Sequence, residues 1–249
     1  MTHRISAVFF LIMFSAALTA YGGSFNILPL KVFFDPQKRT DVLKIKNTGE
    51  KPVTIKVNVL AWTQDEKSKE IDVYQPAKDV AFMPRILTIK AGEEGKVKLG
   101  YDKKPSMSEQ SFRVIVEEVP QADTEGMALR MALKMSIPIF VAPEKKAEPR
   151  GEISAAALSK GSLSFQVKNS GNTHFFIKAV RIVGLDGSGK LVDTINDKGW
   201  YVLPGAKRPY VIAIPADKCK SYATIDIDIE TDKLTLKDRV NVDKKMCAS

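Results

Sequence analysis

Short segments in which apolar and polar residues alternate recur along almost the whole chain after residue 24. Val53, Ile55, Val57 and Val59 illustrate the pattern, because every second side chain of an extended strand points to the same face. Turn-forming residues separate the segments, as in the glycine-containing stretch 90–95. Strands at this spacing, without a convincing long amphipathic helix, predict an all-β protein built from immunoglobulin-like sandwiches.

The pattern occurs in two blocks. Residues 143–151 (PEKKAEPRG) are charged and bounded by prolines, which is typical of a linker between domains. Strand-like segments resume after it, for example at residues 175–183. We therefore predict an N-terminal immunoglobulin-like domain over 23–143, a linker over 144–151 and a C-terminal immunoglobulin-like domain over 152–249.

The first residues have the form of a secretory signal. Arg4 precedes the apolar run 5–14, and small residues follow as far as Gly23. This apolar run is too short to span a membrane, so we predict a signal peptide over 1–22 and export of the protein. Cleavage after Ala17, Ala20 or Gly22 would each suit the small-residue rule.

Charge and cysteine content restrict the partners and the compartment. The formal net charge is +9, but the basic residues are spread along the chain without arginine clusters or interleaved aromatics, so no nucleic-acid partner is expected. The two cysteines are Cys219 and Cys247. In an oxidising compartment we expect them to form one disulfide that ties down the final strand and contributes roughly 3–4 kcal/mol.

The segment 127–139 has the longest alternating stripe in the chain. Its apolar face consists of Met127, Leu129, Met131, Leu133, Met135, Ile137 and Ile139. Such a strand is longer than one domain usually needs, and a long exposed edge normally recruits other chains. The segment is therefore a candidate for strand addition to a partner.

A helix over residues 127–135 is the alternative, because alanine, leucine, methionine, arginine and lysine all favour helices. The β-branched and aromatic run 137–143, with its two prolines, argues against it. In a helix the methionines four residues apart could bind copper(I), whereas on a strand they lie about 13 Å apart. The copper site thus depends on the helix alternative, and we expect no metal or other cofactor.

Three other motifs resemble binding or catalytic sites, but each has a simpler structural explanation. Residues 184–190 (GLDGSGK) approach a P-loop, but Leu191 stands where a magnesium-binding hydroxyl is needed, so we predict a hairpin loop. Asp226, Asp228 and Glu230 alternate with isoleucines and are expected to form a solvated strand face, not a calcium site. His174, the one histidine beyond the signal, is expected at the start of a strand. Neither catalysis nor a small-molecule substrate is therefore expected.

Four segments resemble one family, the PapD-like periplasmic pilus-assembly chaperones of the chaperone–usher pathway. Residues 25–34 (FNILPLKVFF) are similar to the family's first strand, and 59–62 (VLAW) to its third strand with a buried tryptophan. Residues 111–120 (SFRVIVEEVP) resemble the sixth strand, which ends in Glu-x-Pro, and 137–143 (IPIFVAP) the end of the seventh. The resemblance implies two immunoglobulin-like domains in a boomerang arrangement.

The resemblance also implies a function. Family members bind pilus or fimbrial subunits that lack their last strand, donate their own seventh strand, and pass the subunit to an outer-membrane usher. By this analogy Leu129, Met131 and Leu133 are the central donor residues, with Met127, Met135 and Ile137 at the ends. We expect a non-enzymatic periplasmic chaperone that is a monomer or weak dimer when unloaded. A structural pilus or adhesin component and a periplasmic hydrolase are the rival interpretations.

One part of the family pattern is altered in this chain. Members hold the subunit's C-terminal carboxylate with two basic residues in the cleft between the domains. Lys31 stands where the first, usually an arginine, belongs, while Pro138 stands in place of the second. Lys134 lies about 13 Å from Pro138 along a strand, so it is a poor substitute. The link from Pro120 to Met127 is short and has no flanking cysteines, which resembles the short-loop branch of the family.

Overall fold

A computed structural model describes residues 25–120 and 132–247, and these residues form two groups of β-strands. Each group encloses its own apolar core. The predicted donor residues Met127, Leu129 and Met131 lie outside the described residues. The prediction of an all-β protein with two sandwich domains is confirmed. Within the described part of the chain, no helix is long and apolar enough to cross a membrane.

The N-terminal domain is a sandwich of two sheets. Its strands are β1 (Phe25–Leu28), β2 (Val32–Phe34), β3 (Thr40–Asn47), β4 (Val53–Gln64), β5 (Asp72–Pro76), β6 (Val80–Met83), β7 (Ile86–Ile89), β8 (Glu94–Tyr101), β9 (Gln110–Glu118) and β10 (Lys134–Val141). One sheet has the order β1-β3-β8-β6, and the other has the order β2-β10-β9-β4-β5, with β7 also paired to β4. Val53, Ile55, Val57 and Val59 are all buried between the sheets, as their alternation predicts.

The first strand of the domain is divided between the two sheets. β1 pairs with β3 in the four-stranded sheet, whereas β2 pairs in parallel with the end of β10 in the other sheet. Residues 29–31 carry the chain across, which places Lys31 immediately before β2. The crossing matters for function because β2 covers β10 over Ile139–Val141 alone.

The C-terminal domain is a second sandwich. Its strands are β11 (Gly151–Ser159), β12 (Ser162–Asn169), β13 (Phe175–Leu185), β14 (Leu191–Asp197), β15 (Tyr201–Val202), β16 (Lys207–Ala213), β17 (Thr224–Thr231) and β18 (Thr235–Asn241). One sheet has the order β11-β12-β16, and the other β14-β13-β17-β18, with β15 paired to β13. Residues 142–150 contain no strand, and β11 begins at the last residue of the predicted linker.

Two short helices near the end of the chain carry the cysteines. They are α1 (Ala216–Cys219) and a 3-10 helix (Lys244–Cys247). Cys219 and Cys247 form a disulfide with a Cα–Cα distance of 5.7 Å, and both residues are buried. The predicted pairing is confirmed, and the bond fixes the segment that follows β18.

The structure also confirms the simpler explanations of two motifs. The P-loop-like stretch is the hairpin loop between β13 and β14, closed by the Asp186 amide donating to the Lys190 carbonyl at 3.0 Å. The alternating carboxylates of β17 face cations on neighbouring strands, with Asp226 bound to Arg239 and Asp228 to Lys237. A solvated, ion-paired strand face accounts for them.

Candidate functional site: a free strand edge beside the interdomain cleft

Among the described residues, part of β10 has a neighbouring strand on only one of its two edges. Lys134–Val141 pairs antiparallel with β9 along its whole length, whereas β2 covers the opposite edge from Ile139 onward. Residues 134–138 therefore form a free strand edge among the described residues. An uncovered edge offers backbone donors and acceptors to another strand.

The hydrogen-bond pattern fixes which residues offer these groups. In an antiparallel pair, alternate residues bond to the neighbouring strand and the others point away. The Glu118 amide donates to the Leu133 carbonyl at 2.9 Å, which identifies the odd-numbered residues as those bonded to β9. The Ala142 amide donates to Phe34 on the other side, as an even-numbered residue should. The free edge thus presents the backbone groups of Lys134 and Ser136.

Pro138 ends this edge. Its ring nitrogen lies on the outward side, where β10 needs no hydrogen bond to β9, and it has no N–H to offer a partner. One residue further along, β2 begins to occupy the edge. A strand added to β10 therefore cannot continue its ladder beyond Pro138.

The side chains of the predicted donor stripe face the sandwich interior. Leu133 and Met135 are half-buried against the N-terminal core, whereas Ile137 is 2% exposed and belongs to that core. Burial thus increases along the strand towards the cleft. Leu133 and Met135 are the described stripe residues that retain surface for a partner.

The other face of the six-stranded sheet meets the C-terminal domain. Trp62 and Phe140 project from it and pack within the core cluster of the second domain. Tyr201 packs edge-on against Trp62, with ring centroids 5.4 Å apart. Aromatic side chains from both domains therefore line the cleft where β10 ends.

Asp72 joins the two tryptophans of the protein. Its carboxylate accepts the indole N–H of Trp62 and the indole N–H of Trp200, both at 2.9 Å. Gln64 donates to the same carboxylate and to the Tyr201 carbonyl, and it accepts the Leu203 amide. Because these contacts cross between the domains, they fix the position of one domain against the other.

A second polar contact between the domains involves His174. Its Nδ1 lies 2.6 Å from Glu109 Oε1, and Thr173 donates to the other carboxylate oxygen at 2.8 Å. The imidazole also stacks on Phe140, with ring centroids 3.6 Å apart. His174 precedes β13 as predicted, and its partners are those of a buried interface residue.

Two cations lie near Tyr201 in the cleft. Lys31 Nζ is 5.4 Å and Arg113 Cζ is also 5.4 Å from the centroid of the Tyr201 ring. Lys31 is exposed, whereas Arg113 is 3% exposed and its guanidinium lies 3.7 Å from the Trp62 ring centroid. Burial lowers the pKa of Arg113, while Tyr74, Tyr201 and Asp72 raise it.

Sequence reasoning identified Lys31 but missed Arg113. Arg113 lies directly opposite Pro138 in the β9–β10 register, so the two side chains share one face of the sheet. A charged residue within the apolar run 111–116 is unusual and could have drawn attention to Arg113. Its position opposite Pro138 depends on the strand register, which the sequence does not show.

Tandem β-sandwiches with a partly uncovered strand edge beside their cleft define a class of two-domain immunoglobulin-like protein suited to strand addition. Within that class, residues 24–147 match the family model described as pili and flagellar-assembly chaperone, PapD N-terminal domain. The chain therefore belongs, through its N-terminal domain, to the PapD-like family of assembly chaperones.

Solved structures agree with this assignment at the level of the fold. The CsuC–CsuE chaperone–tip subunit pre-assembly complex of Acinetobacter baumannii matches with 20% identity over 86% of this chain and 98% of that chain, at a TM-score of 0.62. The class 5 fimbriae chaperone CfaA matches with 16% identity, 86% and 98% coverage and a TM-score of 0.56. The Salmonella enterica SafA pilin–SafB chaperone complex gives 15% identity, 89% and 98% coverage and a TM-score of 0.54. No curated protein matches this chain in sequence.

Proposed function

We propose that the protein is a non-enzymatic chaperone that binds pilus or fimbrial subunits in the periplasm and passes them to an outer-membrane usher. The observation that carries this proposal is the free edge of β10 over residues 134–138. Membership of the PapD-like family supports it, as do structural relatives that are complexes of a chaperone with a pilin or a tip subunit.

Strand addition would use both the backbone and the side chains of β10. The backbone groups of Lys134 and Ser136 would bond to the subunit, and the stripe of alternate apolar residues would fill its groove. Leu133 and Met135 are half-buried and so retain surface for this contact. We propose that Met127, Leu129 and Met131 continue the stripe and that Ile137 anchors it in the N-terminal core. Methionine suits irregular grooves because its thioether chain is flexible.

The remaining parts of the proposal follow from this mechanism. An unloaded chain would hide its stripe as a monomer or weak dimer. The predicted signal peptide over 1–22, the domains over 23–143 and 152–249 and the linker over 144–151 belong to the same proposal. Lys31 would be the basic residue that holds the C-terminal carboxylate of the bound subunit.

The test is recovery of partners from the periplasm of the native host with a tagged chain. Leu133→Glu would place a charge within an apolar groove at a cost of several kcal/mol, so the variant should lose its subunits. Lys134→Glu is the control, because it places a glutamate on the adjacent, exposed side chain of the opposite face and changes the local charge by two units, where Leu133→Glu changes it by one. Mass spectrometry should identify pilus or fimbrial subunits in the wild-type and Lys134→Glu samples but not in the Leu133→Glu sample.

A thermal melt of each variant separates lost binding from lost folding. Leu133→Glu should unfold close to the wild-type temperature, since Leu133 is half-buried at the end of the core. If folded Leu133→Glu retains the same subunits as wild type, the stripe does not enter the partner, and strand donation through β10 is wrong.

A further inference from the structure

Four lysines lie together on the outer face of the four-stranded sheet of the N-terminal domain. Lys44 and Lys46 come from β3, and Lys96 and Lys98 come from β8. The residue between the two lysines of each strand is buried, so all four lysine side chains point away from the core and are exposed. We call these four lysines the basic face.

The strand register places these lysines against one another. Lys44 is directly opposite Lys96, and Lys98 and Lys46 occupy the diagonal positions of the same face. Like charges in directly opposite positions destabilise a sheet. Glu94 is opposite Lys46, but among the described residues no carboxylate oxygen lies within 4 Å of any of the four lysine nitrogens. The basic face therefore keeps its positive charge uncompensated.

Other charged strand faces of the protein combine opposite charges. In the C-terminal domain Arg239 contacts Asp226, and Lys168 contacts Glu152. On the second sheet of the N-terminal domain, Glu117 lies opposite a lysine on each neighbouring strand. Lysines also protect the edges of sheets from unwanted pairing, but β3 and β8 are the two central strands in the order β1-β3-β8-β6. Neither charge pairing nor edge protection explains the basic face.

Exposed apolar side chains border the basic face on both sides. Leu28 of the edge strand β1 is opposite Lys44, and Met83 of the edge strand β6 is opposite Lys98. These two apolar residues are 62% and 65% exposed. Because directly opposite residues share one face of a sheet, they lie in the same layer as the lysines. Cations for lipid headgroups and apolar groups for the acyl boundary are the two components with which peripheral proteins bind anionic bilayers.

We propose that the basic face is a docking surface for an anionic phospholipid bilayer, with the four lysines contacting headgroups and Leu28 and Met83 entering the acyl boundary. Lysine binds a phosphate as a point charge and needs no fixed geometry. A sheet face presents its cations in one layer, and a bilayer presents anionic groups over a plane. All four lysines can therefore contact the bilayer at once.

The position of the basic face leaves the strand edge of β10 free. The lysines belong to the four-stranded sheet, whereas β10 belongs to the other sheet of the same sandwich. Contact with a bilayer through the basic face therefore leaves residues 134–138 uncovered. The protein can hold a partner strand while it lies on a membrane, and the inference does not depend on what that partner is.

The test is co-sedimentation with lipid vesicles of the chain purified from the periplasm of its native host. One set of vesicles contains phosphatidylcholine alone, and the other contains equal parts of phosphatidylcholine and phosphatidylglycerol. A lysine near an anionic surface contributes about a fivefold gain in affinity, so the anionic vesicles should bind about a hundred- to a thousandfold more tightly at low salt. Salt should weaken this binding steeply, because it screens exposed charges.

Variants assign the binding to the basic face. Lys44→Gln/Lys96→Gln removes the two opposed charges and should weaken binding to anionic vesicles by about thirtyfold. Lys178→Gln/Lys237→Gln is the matched control, because it removes two exposed lysines from strands of the C-terminal domain, and it should bind as wild type does. A thermal melt should show Lys44→Gln/Lys96→Gln at least as stable as wild type, since the substitution relieves repulsion across the sheet.

The apolar border has its own variant. Leu28→Ser/Met83→Ser keeps every charge and should weaken binding to anionic vesicles severalfold, because less apolar surface leaves water. Unchanged binding would overturn the assignment of these two side chains to the contact. Equal binding of wild type to both sets of vesicles, or an equal loss in Lys178→Gln/Lys237→Gln, would overturn the docking surface itself.

Soluble poly-glutamate tests the alternative occupant, an acidic protein. If poly-glutamate binds wild type and loses affinity with Lys44→Gln/Lys96→Gln, while anionic vesicles do not bind wild type, the basic face recognises an acidic polypeptide and the bilayer proposal is wrong. Recovery of subunits by Lys44→Gln/Lys96→Gln should equal that of wild type, because the substitutions lie on the sheet that does not contain β10.

Discussion

Arg113 and Pro138 are directly paired residues of the neighbouring strands β9 and β10, and both are buried. Their side chains therefore occupy one face of the sheet, at the point where the free edge of β10 ends. A proline that ends the hydrogen-bond ladder therefore lies beside an arginine whose Nε and Nη2 atoms have no acceptor among the described residues. This arrangement places the end of the free edge and a positive charge at the same position.

The orientation of Pro138 can be tested by replacing it with alanine. Pro138→Ala adds an N–H that points to the free edge and interrupts no bond to β9. The free energy of unfolding should therefore change by less than about 1 kcal/mol, the scale of the chain-entropy effect of proline. Ile137→Ala is the matched control in the adjacent core position and should cost about 2–5 kcal/mol. Chemical denaturation of both variants measures the contrast, and an equally large loss in Pro138→Ala would show that residue 138 faces β9.

Asp72 is expected to hold the domains together. Asp72→Asn keeps the shape of the side chain but leaves it one acceptor oxygen for two indole N–H groups, so one tryptophan loses its partner. We expect a loss of about 1–3 kcal/mol in the free energy of unfolding and a change in tryptophan emission. Asp102→Asn, at a fully exposed aspartate, is the control that should leave both unchanged. Unchanged emission in Asp72→Asn would contradict the role of this carboxylate.

The disulfide should stabilise the C-terminal domain. It closes a loop with a sequence separation of 28, which corresponds to roughly 3–4 kcal/mol in the chain-entropy model. Reduction should lower the melting temperature of wild type, whereas the double variant Cys219→Ser/Cys247→Ser should melt low with or without reductant. If reductant leaves the wild-type melt unchanged, the bond does not contribute to stability.

Tyr222 should make stability fall at alkaline pH. Burial, followed by the nearby Asp193 carboxylate, raises the pKa of Tyr222 to about 12 from its ordinary 10.0. The unfolded chain therefore loses the phenol proton first, so the stabilising contribution is complete below pH 10 and is lost as the pH rises towards 12. Tyrosinate absorbance and denaturation at several pH values measure this, and Tyr222→Phe should have a flatter pH profile. An ordinary phenol titration for Tyr222 would contradict the burial argument.

The fold could be predicted from local patterns because they repeat within single strands. The alternation in β4 and the turn residues around Gly92 act over a few positions, and the structure follows them. The pairing of Cys219 with Cys247 followed from there being two cysteines in the chain.

The site depended on distant pairings and was predicted in part. The free edge exists because β2 covers β10 from Ile139 onward, and about one hundred residues separate the two strands along the chain. The role of Arg113 depends on Pro138, which lies opposite it on the neighbouring strand. None of these relationships is a periodic pattern. Sequence analysis therefore identified Lys31 and the apolar stripe, but not the residues that pack beside them.

Amide hydrogen exchange along β10, with and without a captured subunit, tests the central claim most directly. In the unloaded chain, the amides of Met135 and Ile137 should be protected by β9, while those of Lys134 and Ser136 should exchange rapidly. Loading should protect Lys134 and Ser136 and leave the other two unchanged. If Lys134 and Ser136 still exchange rapidly while the subunit is bound, the partner does not add a strand to β10.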